Sequence, residues 1–542
     1  MKLTPFGKLF IALVVLGVVG FVVFKRYGDQ VKGWAGAGEP RVTEAVTKED
    51  FGGLGPLPDA PRDGKVEVRA ATPTLGSGKL NRPLKVAINT WAGHAPGIVA
   101  NGGMNPGGAA SLYKKKYGLD VEFVLLEDPT AKFNAFIAGD IDIMWDTVDS
   151  YANEASRLAE QGLSAKAILQ EDWSRGGDGI VSLTSIKSIE DLKGKKIATT
   201  KFTPSHWLLL YMISQSGLSR EDREALEKNL LYFNEAPQAA AAFKAKKVDA
   251  AVTWEPDLSG AVAAREGEAH ILVSTQDATH VIADTLVARQ EIVEKYPASL
   301  QAFVAGWFDA ISVMKEDPQG TNAIVGDALK LAEEDVSGML SGLKLTAFAD
   351  NAQFFGLSGP KPYFASIFDS AFRIWRKKGV VSKAVDSKDW MDSRFVAALA
   401  DQYKDQKVAD SFAFAGKPKA TDRAIVNKSL SIHFTTGSDE IMPGSYFTLD
   451  SLGDTMLAFG NTYLQVEGNT DSRGGAQTNL TLSQKRAESV KKYLIQNFQL
   501  PEERFVAVGK GASNPVASNT TEDGRALNRR TDIKVVLNTP QP

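Results

Sequence analysis

Near its C-terminus the chain reads Gly468-Asn469-Thr470-Asp471-Ser472-Arg473-Gly474. Two further motifs follow it, with Asn479 between the first and the second: Leu482-Ser483-Gln484-Lys485-Arg486-Ala487 and Gly524-Arg525-Ala526-Leu527-Asn528-Arg529-Arg530. Apolar positions seven residues apart predict a helix over residues 478–494, with Asn479 and Arg486 on one stripe. If Asp471 ends a strand that leads into this helix, the three polar groups can converge on one ligand.

The residue types suit a ligand that carries an ammonium and a carboxylate on one carbon. Asp471 would accept hydrogen bonds from the ammonium, Arg486 would form paired bonds to the carboxylate, and Asn479 would add one more. The alternative is a structural pair between Asp471 and Arg486 across a strand–helix turn.

The order and spacing of the three motifs resemble the OmpA-like peptidoglycan-binding domain, over roughly residues 425–538. The resemblance implies an α+β fold that binds the diaminopimelate-containing stem peptide of peptidoglycan. It also implies Asp471, Asn479 and Arg486 as the binding residues. Asn469 stands where the family often has His.

At the other end, residues 9–24 form an unbroken apolar or glycine run, flanked by Lys8 and Lys25. A cleaved signal peptide and an uncleaved signal anchor are the two interpretations. Lys25, Arg26 and Tyr27 occupy the place of the small residues that a cleavage site needs, which favours the anchor. We therefore predict a cytoplasmic tip and one transmembrane helix at residues 1–26 in the inner membrane. The bulk of the chain would then be periplasmic, where peptidoglycan lies.

Composition agrees with several folded domains behind one anchor. The chain has 542 residues, of which 43% are hydrophobic and 23% are charged, enough for more than one core. It has no cysteine, which excludes a lipoprotein anchor, disulfides and thiol catalysis. The net charge of −3 gives no sign of a nucleic-acid partner. Gly/Pro-rich composition predicts a tether at residues 27–81, and a weaker break predicts a linker at 407–424.

Between these breaks, over residues 82–406, short apolar strands alternate with amphipathic helices, which predicts an α/β fold with parallel strands. The predicted strands are residues 84–89, 121–126, 141–145, 196–199, 230–233 and 249–254. A pattern also repeats: residues 135–142 lead into Trp145-Asp146, and residues 242–249 lead into Trp254-Glu255. Each copy is a helix end, a turn and a buried strand, so two similar lobes are predicted.

This region resembles the type 2 periplasmic solute-binding proteins, in particular the nitrate, sulfonate and taurine group. The residues that carry the resemblance are 83–91, 138–144, 189–198, 248–256 and Tyr296-Pro297. The resemblance spans about residues 82–345, with a helical extension behind it. It implies a two-lobed clamshell that closes on a small solute without chemistry.

Open α/β sheets bind ligands at the carboxyl ends of their strands. The residues predicted to line the cleft on this ground are Trp91, Trp145, Asp146, Trp173, Trp254 and Glu255, with Asp172-Trp173 after a predicted crossover between lobes at 166–170. Tryptophan faces and acids attract cations, although tryptophans at strand ends can also simply pack the lobe rims. A helix start at Ser205 suits an anion instead. We prefer an organic cation or zwitterion to an anion.

No catalytic motif, cofactor site or metal site is predicted. The chain lacks Gly-x-Ser-x-Gly and His-Glu-x-x-His, and its five histidines are scattered. The predicted function is a wall-bound solute receptor or transport-associated binding protein, with an ABC permease or another membrane protein as a further partner. The alternative is a structural linker between membrane and wall. A motor stator is disfavoured because residues 9–24 contain no ionisable side chain.

Overall fold

The computed structural model describes residues 75–105, 107–359, 362–403, 424–430, 432–435 and 437–537. The predicted anchor and nearly all of the predicted tether and linker lie outside these residues. Within the described ranges, no helix combines the length and the apolar composition that crossing a membrane requires.

The described chain before residue 404 alternates strands and helices. Its strands are β1 (Leu84–Ile88), β2 (Val121–Leu125), β3 (Ile143–Thr147), β4 (Ala165–Ser174), β5 (Asp178–Leu183), β6 (Ile197–Thr200), β7 (Leu230–Phe233), β8 (Ala250–Trp254), β9 (Ala269–Ser274), β10 (Ala283–Arg289) and β11 (Leu343–Leu345). Its helices are α1 (Ala95–Asn101), α2 (Pro129–Ala138), α3 (Val148–Glu160), α4 (Pro204–Gln215), α5 (Arg220–Lys228), α6 (Ala236–Lys244), α7 (Asp257–Ala263), α8 (Gln290–Lys295), α9 (Pro297–Glu316), α10 (Pro318–Leu329), α11 (Glu333–Ser341), α12 (Phe348–Phe354), α13 (Tyr363–Lys377) and α14 (Arg394–Ala397).

These elements build two lobes, each around its own sheet. The first sheet has the order β11-β4-β10-β3-β1-β2, and the second has the order β7-β6-β8-β5-β9. In each, parallel strands meet antiparallel ones: β1 pairs with β2 and β3 in parallel, whereas β10 runs antiparallel to β3 and β4. The chain crosses between the sheets twice, from β4 to β5 and from β9 to β10. The predicted two-lobed α/β architecture is confirmed.

The strand predictions agree with the structure to within two residues at each end. The predicted crossover does not, because residues 166–170 lie inside β4, which stays in the first sheet up to Ser174. The crossing itself is the short segment 175–177. The repeated pattern is a helix–turn–strand unit in both lobes. Gly139, with φ of 84°, and Lys246, with φ of 58°, turn the chain after α2 and α6.

Helix α13 holds the two lobes together from outside. Trp375 donates its indole N–H to the backbone oxygen of Asp149 in the first lobe, at 2.8 Å. The same ring lies 5.9 Å from the ring of Phe202 and 5.4 Å from that of His206, both in the second lobe. The C-terminal extension therefore restrains the relative motion of the lobes.

The last domain combines a four-stranded sheet with helices. Its elements are β12 (Ala424–Leu430), α15 (Tyr446–Ala458), β13 (Thr462–Asn469), α16 (Ala476–Phe498), β14 (Phe505–Gly511), α17 (Glu522–Asn528) and β15 (Thr531–Leu537). The strand order is β12-β15-β13-β14, with β13 and β14 parallel. The helix predicted at 478–494 is α16, which is longer at both ends. The predicted α+β fold is confirmed.

This domain contacts the second strand crossing of the clamshell. Gly460 donates its backbone N–H to the hydroxyl of Thr279 at 2.9 Å, and His280 donates its own to the carbonyl of Ala458 at 3.0 Å. Thr455 of α15 also bonds to Gln215 at the end of α4, at 2.9 Å. The C-terminal domain therefore contacts the segment in which the chain passes from the second lobe back to the first.

Glycine at position 468 allows α16 to lie close to the sheet. A methyl group added there would lie 2.2 Å from the backbone oxygen of Ser483. We expect Gly468→Ala to lower the stability of the C-terminal domain by about 1–3 kcal/mol or more, because strand and helix must separate. Thermal unfolding measures the loss. Gly444→Ala is the matched control, since its methyl would meet no atom within 4 Å. Equal melting temperatures for the two variants would contradict the packing argument.

Candidate functional sites

In the C-terminal domain, Asp471 lies just after β13 and is 7% exposed. Its Oδ1 accepts the backbone N–H of Arg473 at 2.9 Å, and its Oδ2 accepts a bond from Nη1 of Arg529 at 2.7 Å. Arg529 also contacts Glu522 at 3.2 Å. The direct partner of Asp471 is therefore Arg529, which the sequence argument did not select although it lies in the third motif.

Arg486 approaches the same place from α16. Its Nε donates to the backbone oxygen of Ser438 at 3.0 Å, and its guanidinium lies 4.9 Å from the centre of the Phe434 ring. Burial lowers the pKa of Arg486, and the positive charge of Arg529 lowers it further, whereas Asp471 opposes the shift. Asp471 thus pairs directly with Arg529 and interacts at longer range with Arg486, so two guanidinium groups lie near this carboxylate.

Asn479 has a structural contact at this site. Its side-chain amide donates to the backbone oxygens of Asp471, at 3.2 Å, and of Arg473, at 3.0 Å. These bonds hold the loop between β13 and α16. The structure thus brings together Asp471, Asn479 and Arg486, as the sequence predicts, and adds Arg529.

In the clamshell, the predicted tryptophans separate into two groups. Trp91 donates to Oδ2 of Asp172 at 3.1 Å, and Trp254 lies opposite Asp178 in the register of β8 and β5. Both therefore lie at the facing edges of the two sheets.

Trp145 and Trp173 pack elsewhere. Trp145 stacks under the ammonium of Lys132 at 4.5 Å and bonds to the backbone of Leu126. Trp173 is buried against the rings of His280, 4.7 Å away, and Tyr363, 5.4 Å away. For these two, rim packing is the better description.

Both predicted acids interact with nearby side chains. Asp146 is buried and its Oδ2 lies 3.5 Å from Nζ of Lys132, which also pairs with Glu154 at 3.3 Å. Glu255 accepts bonds from the hydroxyl of Ser259 at 2.7 Å and from its backbone N–H at 3.1 Å. A buried lysine thus compensates Asp146, and the first turn of α7 engages Glu255.

A different set of acids meets where the sheets face each other. Asp149 is in the first turn of α3, Asp172 near the end of β4, Asp178 at the start of β5 and Asp284 in β10 beside Asp172. We call these four the acid cluster, and all are at least 93% buried. Within the described chain, no lysine or arginine forms an ion pair with any of them. Asp178 and Asp284 are not predicted from the carboxyl ends of strands, because antiparallel strands bring their first residues to this edge.

Burial governs the protonation of the acid cluster. It raises the pKa of Asp149 and of Asp178 to about 7. It raises the pKa of Asp172 and of Asp284 well above the ordinary value, and the neighbouring carboxyl groups raise both further.

In the described residues, no group of histidines and acids has the arrangement of a metal site.

Opposite the acid cluster lies the start of α4. Thr203 precedes this helix without capping it by a side-chain bond. The hydroxyl oxygens of Thr199, Thr200 and Ser205 are buried and have no hydrogen-bond partner. Ser150, next to Asp149, donates to the backbone oxygen of Phe202 at 3.4 Å, so this region adjoins the first lobe. Ser205 is thus placed at a helix start, as the sequence predicts.

The protonation of the acid cluster makes a testable contribution to stability. Between pH 4 and pH 7 the folded protein holds protons on Asp149 and Asp178 that the unfolded chain has already lost, so the free energy of unfolding falls as pH rises. We expect Asp178→Asn to reduce this loss between pH 5 and pH 8 by an amount on the order of 1–4 kcal/mol. Urea unfolding at both pH values measures it. Asp140→Asn, at an exposed position, should keep the wild-type loss, and an unchanged loss in Asp178→Asn would refute the assignment.

Comparisons with known proteins agree with both parts of the fold. Residues 433–529 match the model of the OmpA family, and residues 112–321 match the model described as NMT1/THI5 like. The chain is 40% identical over 111 residues to outer membrane porin F of Pseudomonas fluorescens, which covers 20% of this chain and 34% of the porin. It is 27% identical over 192 residues to peptidoglycan-binding protein ArfA of Mycobacterium tuberculosis, which covers 33% of this chain and 58% of that protein. The matches thus span only part of each relative.

Solved structures similar to the chain include two periplasmic binding proteins. The aliphatic sulphonate binding protein SsuA from Escherichia coli has 19% identity and a TM-score of 0.45, covering 58% of this chain and 98% of its own. The nitrate-binding protein NrtA from Synechocystis PCC 6803 has 15% identity and a TM-score of 0.44, covering 61% and 90%. Both resemblances inferred from the sequence are confirmed: the chain carries an OmpA-family domain behind a central region of the NMT1/THI5-like type.

Proposed function

We propose that this protein binds peptidoglycan through its C-terminal domain and a small solute through its clamshell. The observation that carries the proposal is the cluster of Asp471, Arg486 and Arg529 in a domain of the OmpA family. Such a protein acts as a wall-tethered solute receptor or as a binding protein associated with a transporter, with an ABC permease as one candidate partner. It acts without chemistry on its ligands.

The wall site has the charges that a diaminopimelate centre requires. The ammonium of the stem peptide would replace Arg529 as the partner of Asp471, and the freed guanidinium would join Arg486 in binding the carboxylate. The exchange keeps every charge paired. The name of the relative ArfA, a peptidoglycan-binding protein, supports this ligand.

Loss of either charged partner should weaken binding to the wall. We expect Asp471→Asn and Arg486→Ala each to weaken binding to purified sacculi by about 2–5 kcal/mol, because the opposite ligand group is left unpaired. Co-sedimentation with sacculi measures binding, and thermal unfolding checks that the domain is folded. Lys485→Ala removes an exposed charge beside Arg486 and should bind normally. Normal sedimentation of both site variants would contradict the assignment of Asp471 and Arg486 as peptidoglycan-binding residues.

We further propose that residues 1–26 anchor the protein in the inner membrane, with the bulk of the chain in the periplasm. The basic residues at positions 25 and 26 support this, because they disfavour cleavage after the apolar run. Anchoring at both ends would hold the clamshell at a limited distance from the membrane.

An uncleaved anchor has a direct test. The protein isolated from cells should begin at or near Met1 and should stay with inner-membrane vesicles when the C-terminal domain is deleted. N-terminal sequencing and membrane fractionation measure this. A chain that begins near residues 35–39 would instead be a processed periplasmic protein, and the anchor proposal would fail.

For the clamshell we propose an organic cation or a zwitterion rather than a simple anion. Four buried carboxyl groups at the facing sheet edges, with Trp91 bonded to one of them, support a positively charged group, because a cation would pair with their ionised form. The structural-linker alternative also has an observation in its favour, because Trp375 of α13 and Lys378, which follows the helix and pairs with Glu227, connect it to both lobes. A ligand that raises the melting temperature distinguishes the two, since a linker needs no ligand.

A further inference from the structure

We propose that the clamshell binds an amino acid-like zwitterion, whose ammonium lies at the acid cluster and whose carboxylate lies at the start of α4. This inference rests on the proposed solute-binding function. The acid cluster favours a positive group, and the start of α4 favours a negative one. A zwitterion would satisfy both with a single ligand.

The negative end of the ligand is argued from unused donors. The first N–H groups of a helix have no partner within the helix, and α4 receives no side-chain cap from Thr203. Ser205, in its first turn, and Thr200, just before it, are at least 94% buried, and their hydroxyl oxygens have no hydrogen-bond partner. Buried polar groups are normally hydrogen-bonded. A carboxylate at this place would accept from the hydroxyls and from the amides, with the helix dipole in its favour.

The positive end is argued from uncompensated acceptors. Oδ1 of Asp149 and Oδ1 of Asp172 are buried and accept no bond from an N–H or hydroxyl group of the described chain, while the carboxyl group of Asp172 shares a hydrogen bond with that of Asp284. A buried carboxyl group keeps its proton unless a positive group pairs with its ionised form, and no lysine or arginine of the described chain pairs with the acid cluster. A primary ammonium has three N–H donors and one charge, so it can satisfy these oxygens together. A quaternary amine could supply the charge but not the hydrogen bonds.

The two ends lie near each other because the lobes touch there. Ser150 follows Asp149 directly and contacts the backbone of Phe202, in the loop between β6 and α4. In the second sheet, β8 separates β6 from β5, so Thr200 and Asp178 lie about 10 Å apart, two strand spacings. A ligand whose ammonium and carboxylate are separated by one to several carbon atoms fits between Asp178 and Thr200.

The test uses matched ligands. We would titrate the full-length protein with ω-amino acids of two to six carbons, with the corresponding alkylamines and with the corresponding carboxylates, by calorimetry and tryptophan fluorescence. At the best chain length, the amino acid should bind at least about tenfold more tightly than either single-charge analogue. Binding of only amines, or of only carboxylates, would overturn the zwitterion while keeping solute binding. If a broad panel of cations, anions and neutral solutes also gives no response, the proposed solute-binding function falls with it.

Variants assign the two ends. Asp149→Asn should weaken the amino acid about tenfold or more and leave the carboxylate analogue unaffected, whereas Ser205→Ala should weaken the amino acid and leave the alkylamine unaffected. The controls are Asp142→Asn, a buried acid at the opposite edge of the first sheet, and Ser156→Ala, a buried hydroxyl that bonds to Lys383. Both should keep wild-type ligand affinity. Equal effects of Asp149→Asn and Asp142→Asn on affinity would refute the assignment, as would an equal loss of affinity for all ligands. Melting curves check that each variant is folded.

Discussion

The clamshell depends on one electrostatic constraint, which is that four carboxyl groups are buried where its two sheets face each other. An isolated ionised carboxylate is costly away from water, so such a group either keeps its proton or needs a positive partner. The strands that cross between the lobes place Asp172, Asp178 and Asp284 at this edge, and the first turn of α3 adds Asp149. The strands that connect the lobes therefore also determine the protonation of the site and the charge of a suitable ligand.

The same hinge region receives a second restraint from the C-terminal domain. Backbone and side-chain bonds join Ala458 and Gly460 to Thr279 and His280 at the crossing from β9 to β10. On another side, α13 contacts both lobes through Trp375. Opening of the clamshell must therefore change contacts with the domain proposed to bind the wall. A receptor held in this way is suited to sensing or scaffolding at least as well as to shuttling solute to a permease.

Much of the architecture could be predicted because it follows from local patterns. Strands with short apolar runs, helix ends at Gly139 and the long helix with Arg486 were all found close to their observed bounds. The cleft was harder to predict. Asp146 and Glu255 follow strands, as binding residues often do, yet a buried lysine compensates one and a serine in the next helix engages the other. Strand position reveals which edge a residue occupies, but not which partner its side chain meets.

The amino-acid sequence alone determined the two families, the order of the domains and the strand and helix types, because motif spacing and hydrophobic periodicity are properties of neighbouring residues. Only the tertiary structure decided that Asp471 pairs with Arg529, that Asp149, Asp178 and Asp284 join Asp172, and that hydroxyls at the start of α4 lie across from them. These groups are up to 135 residues apart in the chain, from 149 to 284, within one cluster. Their charges interact because sheet pairing and strand crossing bring them together, and a sequence does not display such pairing.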